Sequence, residues 1–480
     1  MFRKRIINYL GIICISLLYA ACVPSLVRKT ENKTVPESYS RDSTSKDSTN
    51  NTAKLKRKEF FTDSNLVALI DSALQKNQEL NIVLQDIIIA KNEVRARKGA
   101  YLPFVNAGGG AGIARTPRYT SQGASDAVNT ITPGQLVPVN LPNYMFGANA
   151  SWEVDIWKKL RNAKKSAMFK YLSTIEGKNF LVTLLVSEIA NSYYELMAAD
   201  NQLEILKRNI QVQQNALEIV KMEKSAARVT ELAVRRFEAE VLKNQSRQYY
   251  ISQKIIETEN RINFLVGRFP QPVSRSSKTF SDLVPDTIHE GIPSQLLENR
   301  PDIRQATQVL SAMKLDVKVA KANFYPTFMI TAGLGYDAFN PRYLITTPQS
   351  FVYTLAGSLI GPVINRNAIR ANYYSANARQ VQAVYNYERT ILNAHIEVAN
   401  QLSNISNLRK SYDLKAKQVQ ALTQSIDISI GLFRSARADY MEVLLTQRDA
   451  LESRFELIET KKMQMNARVN IYQALGGGWN

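Results

Sequence analysis

The feature that most constrains this 480-residue chain is that it repeats itself. Leu80 to Pro103 aligns with Ile303 to Pro326 at an offset of 223 residues (326 − 103). Within that match, Lys98-Gly99-Ala100-Tyr101-Leu102-Pro103 faces Lys321-Ala322-Asn323-Phe324-Tyr325-Pro326. A small-residue run follows each, Ala107 to Gly112 and Ile330 to Gly335. Further along the offset becomes 209: Leu160-Arg161 matches Ile369-Arg370, Ala190-Asn191 matches Ala399-Asn400, Val234 matches Val443, and Gly267 matches Gly476 (476 − 267). The 14-residue difference (223 − 209) places a longer loop in the first half, between Pro103 and Leu160.

An offset that holds over such a length means that the segment admits no insertions, as packed helices require and loops do not. Leu203, Leu206, Ile210, Gln213, Leu217 and Val220 step by threes and fours, the seam spacing of a coiled coil. Tyr412, Lys415, Val419, Leu422, Ile426 and Ser429 repeat it 209 residues later. No proline falls between Pro142 and Pro270 or after Pro362, so nothing forces a break. Each half is therefore expected to form a long helical hairpin. One arm, from Leu160 to a turn near Ala227, would be on the order of 100 Å long.

Other segments have a period of two. Phe146, Ala148, Ala150, Trp152, Val154 and Ile156 alternate with Gly147, Asn149, Ser151, Glu153 and Asp155, the apolar-out, polar-in pattern of a membrane strand. Phe328, Ile330, Ala332, Leu334 and Tyr336 do the same, with weaker versions over 105–113 and 351–359. An ordinary antiparallel sheet with one wet face would alternate likewise, and closure is what decides between them. A bilayer-spanning sheet has no free edge, and four strands are too few to close alone. Several chains must share one barrel; two would supply about eight strands and three about twelve, and geometry permits either.

Arg3, Lys4 and Arg5 precede an apolar run from about Leu10 to Ala21, the order of a secretory signal and too short to span a bilayer. Leu18-Tyr19-Ala20-Ala21-Cys22 resembles a bacterial lipobox, with Tyr19 where leucine is usual, and makes Cys22 the expected lipid attachment site. From Val23 to about Glu59 the chain is polar and reads as a tether. The formal charge of +19 would suit nucleic acid, but the basic residues are spread and interleaved with acids, and no nucleic-acid role is expected. The only cysteines are Cys14 and Cys22, and His289 and His395 have no partner at ligand spacing, so no metal site or cofactor is expected. No nucleophile motif or phosphate loop points to an enzyme. Glu153 and Asp155 read more simply as lumen-facing polar positions than as an acid and base.

Three stretches bear a family likeness: Leu296-Leu297-Glu298-Asn299-Arg300-Pro301-Asp302-Ile303-Arg304 running on to Phe324-Tyr325-Pro326, Ser151-Trp152-Glu153-Val154-Asp155-Ile156-Trp157, and Ile471-Tyr472-Gln473-Ala474-Leu475-Gly476-Gly477-Gly478-Trp479. In order and at the repeat spacing, they resemble the TolC-like outer-membrane efflux proteins, in particular the lipoprotein branch that serves RND-type multidrug pumps. The resemblance implies an α+β membrane protein: a homotrimer whose chains each give four strands to a 12-stranded β-barrel and two coiled-coil hairpins to a periplasmic tunnel. It further implies a periplasmic adaptor protein and an inner-membrane RND-type transporter as partners, no catalysis, and a cell outer membrane location. The chain then divides into a signal peptide (1–21), a lipid-anchored polar tether (22–64), a first repeat (65–290) and a second repeat (291–480). Strands are expected at about 104–114, 145–157, 327–337 and 351–361, and hairpins at about 160–265 and 369–476.

The hairpin tips are where the tunnel would close. In similar proteins acidic residues on the second tip ring the constriction, and by alignment Glu442 takes one such place while Leu445 takes the next. Arg228, Arg235, Arg434 and Arg437 could pair with Glu231, Asp439 and Glu442 or meet an adaptor, and Glu442, Asp439, Glu231, Arg228 and Arg437 are the candidate gate. The tip glycine of relatives is Ala227 in one copy and Ala436 in the other, so a tighter or more helical turn is expected. The rival reading is a lipid-anchored periplasmic coiled-coil adaptor, which would have one hairpin between soluble β-domains instead of two hairpins and amphipathic strands.

Overall fold

The computed structural model describes residues 23–26, 29–39, 51–283, 289, 291–362, 364–435 and 437–479; the expected signal peptide and Cys22 lie outside them. The same order of elements occurs twice. Helices α1 (Ser64–Lys76) and α2 (Gln78–Gly99) lead into strands β1 (Phe104–Arg115) and β2 (Asn140–Val154), then helices α3 (Lys159–Ser225) and α4 (Glu231–Val266). Helix α5 (Pro301–Ala322) leads into β3 (Thr327–Ala338) and β4 (Phe351–Ile360), then α6 (Asn367–Arg434) and α7 (Tyr440–Ala474). Two compact units emerge, one built mainly from 89–171 and 308–384, the other mainly from 31–88, 172–307 and 385–480.

The first unit holds an antiparallel sheet in the order β1-β2-β3-β4, with β1 and β4 as its edges. Its register fixes two faces, because a pleated strand turns alternate residues to opposite sides. The rows Val105, Ala150, Ala332, Leu355 and Ala107, Ala148, Leu334, Tyr353 share an apolar face. The row between them, Asn106, Asn149, Gly333 and Thr354, lies on the other, as do Ser151 and Thr331. On the apolar face Phe146 stacks on Tyr336 with ring centres 5.4 Å apart, and Tyr336 meets Phe351 edge-on at 5.6 Å. Gly147 and Gly335 face each other so closely that a Cβ on Gly335 would stand 2.8 Å from the Gly147 Cα.

Phe104 pairs with Ser151 and Thr327 with Ile360, so the sheet itself gives 223 (327 − 104) from β1 to β3 and 209 (360 − 151) from β2 to β4. The extra 14 residues of the first repeat all fall in the β1–β2 connection, 116–139, which carries a short helix, Ser121–Asp126, and a small hairpin, Thr130–Thr132 with Gln135–Leu136. Strand β2 begins at Asn140, before Pro142, earlier than alternation suggests. Pro142 sits opposite Ile113 of β1, and pairing with β3 begins only at Tyr144, so the proline removes no ladder bond on that side. Asp155 is not lumen-facing. Its buried carboxylate accepts from the Leu160 and Arg161 backbone N–H groups, both at 2.9 Å, and closes the first turn of α3.

The second unit is organised by one apolar cluster. Ile189, Tyr193 and Leu196 of α3, Ile262 of α4, Leu66 and Ile70 of α1, and Phe280 are fully or almost fully buried together. The Tyr193 hydroxyl donates to Asp63 at 2.8 Å; burial, and then that carboxylate, holds its pKa far above the phenolic range. The seam residues Leu206, Ile210, Leu217 and Val220 are buried, and the Gln213 carboxamide, also buried, accepts from Asn244 at 2.8 Å across the hairpin. The second seam is shallower, with Tyr412, Lys415, Val419, Leu422 and Ile426 half-buried.

Each hairpin ends against the start of the short helix of its own repeat. Gly267 adopts φ 75° after α4, its N–H donating to the Phe264 carbonyl at 3.0 Å and Arg268 N–H to Asn263 at 2.9 Å. Gly476 does the same after α7 at φ 93°, with Gly476 donating to Gln473 and Gly477 to Tyr472, both at 2.9 Å. These are Schellman ends. Asn77 accepts from the Leu80 N–H at 2.9 Å, capping α2, while its amide donates to the Leu265 carbonyl of α4 at 2.8 Å. In the second repeat Arg300 donates to the Ala474 carbonyl of α7 at 2.7 Å, and Asp302 accepts from Ile303 N–H at 2.9 Å. The negative end of one helix thereby meets the positive end of the next, a head-to-tail splice.

The polar tether expected over 22–64 touches the helices at several described points, although Lys33, Thr34, Pro36 and Glu37 are exposed. Gln380 of α6 donates to the Lys29 carbonyl at 3.1 Å, Asn32 N–H donates to Glu388 at 3.0 Å, and Tyr39 stacks on His395 at 5.4 Å. Beyond Asn51, Phe60 and Phe61 are buried, and Phe60 stacks on Tyr472 at 4.0 Å. Two adjacent phenylalanines at the end of a polar stretch supply the apolar area that the stretch itself lacks.

A Cβ on Gly267 would run into the Lys76 carbonyl, and one on Gly476 would lie 2.7 Å from Asn299 backbone atoms. Gly267→Ala is expected to cost about 1–3 kcal/mol and to lower the thermal midpoint measured by circular dichroism in detergent. Gly431→Ala, inside α6 with nothing near its Cβ position, is expected to gain about 0.5–1 kcal/mol. Equal losses in the two variants would reject the splice as a constrained joint.

Candidate functional site

The candidate gate sits at two helical turns built alike. In the first, Ala227 N–H donates to Lys224 and Arg228 N–H to Glu223, both at 2.9 Å, and Ala227 holds φ 57°. This is the turn that glycine makes, with an alanine in the left-handed position; it is neither tighter nor more helical, in contrast to the expectation from the missing glycine. In the second, Arg437 N–H donates to the Leu432 carbonyl at 2.9 Å, 209 residues on from the Arg228 bond (437 − 228). Ala436 lies outside the described residues.

The two tips are held together by apolar packing. Leu217 and Val220 of α3 and Ala233, Val234 and Phe237 of α4 form one buried cluster with Leu444 of α7, flanked by Tyr440 and Met441. Arg236 donates to the Met441 sulfur at 3.3 Å. Farther from the turns, Arg247 of α4 donates to Glu452 of α7 at 2.8 Å, its guanidinium 4.1 Å from the centre of the Phe455 ring.

Of the expected gate residues, only Glu231 is ion-paired among the described residues. Lys224 reaches it across the turn, and Arg235 donates to it at 2.8 Å while holding Glu238 at 2.9 Å. The Lys224 hydrogen bond first, and Arg235 after it, lowers the Glu231 carboxyl below its ordinary range. Arg228, Arg437, Asp439 and Glu442 are exposed and form no ion pair among the described residues. Arg235 and Glu231 were legible as an i,i+4 pair; Lys224 was not, because it lies seven residues before Glu231 on the far side of a turn. Leu445 is exposed beside Glu442 in the first turns of α7. Among the described residues, no group of three or more histidine, cysteine or acidic side chains could hold a metal ion, and no helix is long and apolar enough to cross a membrane.

Two outcomes are expected at the turn. Ala227→Gly relieves a left-handed alanine worth about 1–2 kcal/mol and should slow amide hydrogen exchange at 222–230. Glu231 is held below its unfolded-state value, so its clasp contributes above the ordinary carboxylate range and is lost as pH falls through the folded value. Protection from amide exchange at the tip, taken relative to the intrinsic rate at each pH, should therefore fall on acidification, and Glu231→Gln should abolish that pH response. A response unchanged in Glu231→Gln would assign it to another group.

The chain matches the family model described as "Outer membrane efflux protein" over residues 69–268 and 292–477, one span for each repeat. It is 26% identical over 430 residues to the solvent efflux pump outer membrane protein SrpC of Pseudomonas putida, covering 89% of this chain and 88% of that one. It is 25% identical to the pyoverdine export outer membrane protein OpmQ of Pseudomonas aeruginosa, covering 87% and 86%. Likewise it is 25% identical to the cation efflux system protein CusC of Escherichia coli O6:H1, covering 88% and 87%. Its fold is that of the open-state MtrE outer membrane channel of Neisseria gonorrhoeae, with a TM-score of 0.82 at 20% identity over 96% and 99% of the two chains. A solved CusC structure gives 0.80 at 23% identity over 94% and 99%. With this match over both halves, the chain belongs to the outer membrane efflux protein family.

Proposed function

We propose that the chain is the exit duct of a tripartite efflux system, assembling as a homotrimer whose shared barrel opens the outer membrane. The observation that carries this reading is a four-stranded sheet with one continuous apolar face and two unpaired edges. Leu355 is 77% exposed and Val105 68% exposed in the single chain, a surface that suits lipid and not water. In hydrocarbon every backbone N–H and C=O must be bonded, so β1 and β4 need partners, and three copies supply the about twelve strands of a roomy barrel. The helices have matching edges. Ile82, Ile88 and Ile89 of α2 and Leu392, Leu414 and Ile428 of α6 are exposed apolar residues awaiting a neighbour.

In this reading the duct does no chemistry. A periplasmic adaptor docks on the hairpins, an inner-membrane RND-type transporter supplies the energy, and Cys22 carries a lipid that keeps the chain at the outer membrane. The adaptor alternative is not favoured, since the chain has two hairpins and matches channel proteins over both. The relatives are named for solvents, pyoverdine and cations, so the cargo class is set by the transporter and not by the duct fold.

At the tips, Asp439 and Glu442 give each chain two acids with no ion pair among the described residues, and three-fold symmetry would multiply them into a ring that favours cations. Arg228 and Arg437, likewise without an ion pair among the described residues, suit contact with the adaptor.

An unheated detergent extract should migrate near three times the monomer mass on a gel and collapse on boiling. A monomer released from membranes without detergent would sink the shared-barrel reading. Glu442→Ala should reduce cation preference in planar bilayers, and an unchanged reversal potential would remove Glu442 from the gate.

A further inference from the structure

Cations gather at one end of the sheet, the end that runs into the helices. Lys91, Arg95 and Lys98 stand at i, i+4 and i+7 on α2 and so share one face of it, and Lys314, Lys318 and Lys321 repeat the stripe on α5 at the offset of 223 (321 − 98). A third group follows β2, where 155–170 holds six cations and one acid. The connections at the opposite end, 116–139 and 339–350, hold two cations and one acid between them, and one of those cations, Arg118, is spent on the Gly123 and Val137 carbonyls. The acids near this basic collar are already engaged: Glu93 with Arg97, Glu153 with Lys159, Asp155 with Arg161 and Asp316 with Lys170. Arg95, Lys98, Lys158, Lys165 and Lys318 are exposed and enter no ion pair among the described residues.

Two features set the level of the collar. The apolar face of the sheet ends at the row Val154, Phe328 and Leu359. Beside it Trp157 stacks on Tyr325 with ring centres 4.6 Å apart, donates its indole N–H to the Pro326 carbonyl at 2.8 Å and stays 47% exposed, while Trp152 donates to the Tyr101 carbonyl at 3.1 Å. Aromatic rings with a satisfied polar end suit the boundary between hydrocarbon and water. The cations begin just past it, since Lys98 and Lys321 each lie six residues ahead of their strands (104 − 98 and 327 − 321). Each stripe covers about 10 Å of helix, on the order of the headgroup layer that flanks the hydrocarbon core. Lys318 points away from α3, because Asp316, about 200° around the helix, is the residue of α5 that accepts from Ser166 and Lys170. We propose, resting on the membrane-channel reading, that the collar binds the phosphates of anionic phospholipids in the periplasm-facing leaflet of the outer membrane. The lysine and arginine stems lie along apolar surface while their heads reach the phosphate plane.

Reconstitution of the purified full-length chain tests this, in phosphatidylcholine vesicles doped with an equal small share of either brominated phosphatidylglycerol or brominated phosphatidylcholine. Bromine quenches the indoles it touches, and Trp152 and Trp157 stand at the collar. Quenching should report an association constant for phosphatidylglycerol at least about threefold above that for phosphatidylcholine at low salt, a share of the about fivefold that one cation near an anionic surface is worth. The excess should shrink in high salt. Arg95→Gln, Lys98→Gln, Lys158→Gln, Lys165→Gln and Lys318→Gln combined should erase the preference and leave the trimer on unheated gels, whereas Lys207→Gln with Lys417→Gln, exposed cations of the helical unit, should keep it. A preference that survives the quintuple variant, or falls equally in the control, overturns the collar. Equal quenching by the two lipids, in a chain that floats with the vesicles as a trimer, overturns the lipid site alone. So does a loss of anion conductance in the quintuple variant with no change in quenching, which would put these cations on the lumen wall. A chain that does not float and runs as monomer on the unheated gel overturns the membrane reading itself.

Discussion

The fold depends on two helix ends that must be met. An α-helix leaves its last carbonyls unsatisfied, and in each repeat the returning helix of the hairpin stops in the interior of a packed unit, where water does not supply the missing donors. The chain solves this twice with the same backbone and different side chains. Glycine in the left-handed region turns the chain back onto the last carbonyls, and a side chain from the next helix start, Asn77 or Arg300, donates to one more. The amide does so without charge. Arg300 needs Asp302 and Glu397 around it, because a buried guanidinium without carboxylates would be costly. Once these joints are fixed, the short helices start in register, and the strands that follow them inherit that register.

Much of this was legible because the repeat offset carries over from sequence to backbone. The offsets of 223 and 209, read from aligned residues, recur in the strand pairing and in the helix ends. Alternation correctly separated the two faces of the sheet, since Val105, Ala150, Ala332 and Leu355 form one row. What local pattern could not show was contact at a distance. Asp155 belongs to the strand alternation by spacing but caps a helix by position. Phe60 and Phe61 ended a polar stretch, and only their meeting with Tyr472, more than 400 residues away, makes them core. Lys224 found Glu231 across a turn whose left-handed alanine no propensity rule favours.

At the tips, packing and charge divide the work. Phe237, Val220 and Leu444 hold the two hairpins against each other, and the Lys224–Glu231–Arg235 clasp ties the first turn. Exposed and unpaired charges at Arg228, Arg437, Asp439 and Glu442 interact weakly through water, and their effect on an ion or a docking partner grows only where the solvent is narrowed or expelled. The first turn has its acid neutralised by two cations, and the second leaves its acids open. Two turns of one design thus differ in which of their charges are paired.

The 116–139 connection holds the whole 14-residue excess of the first repeat, at the end of the sheet away from the helices. Around a closed ring, long and short connections would alternate, and the rim would be scalloped, three tall lobes between three low ones. Nothing in the joints or seams passes through those lobes. They are the part of the molecule where length and composition can drift, or an epitope tag can be carried, while the wall beneath keeps its register.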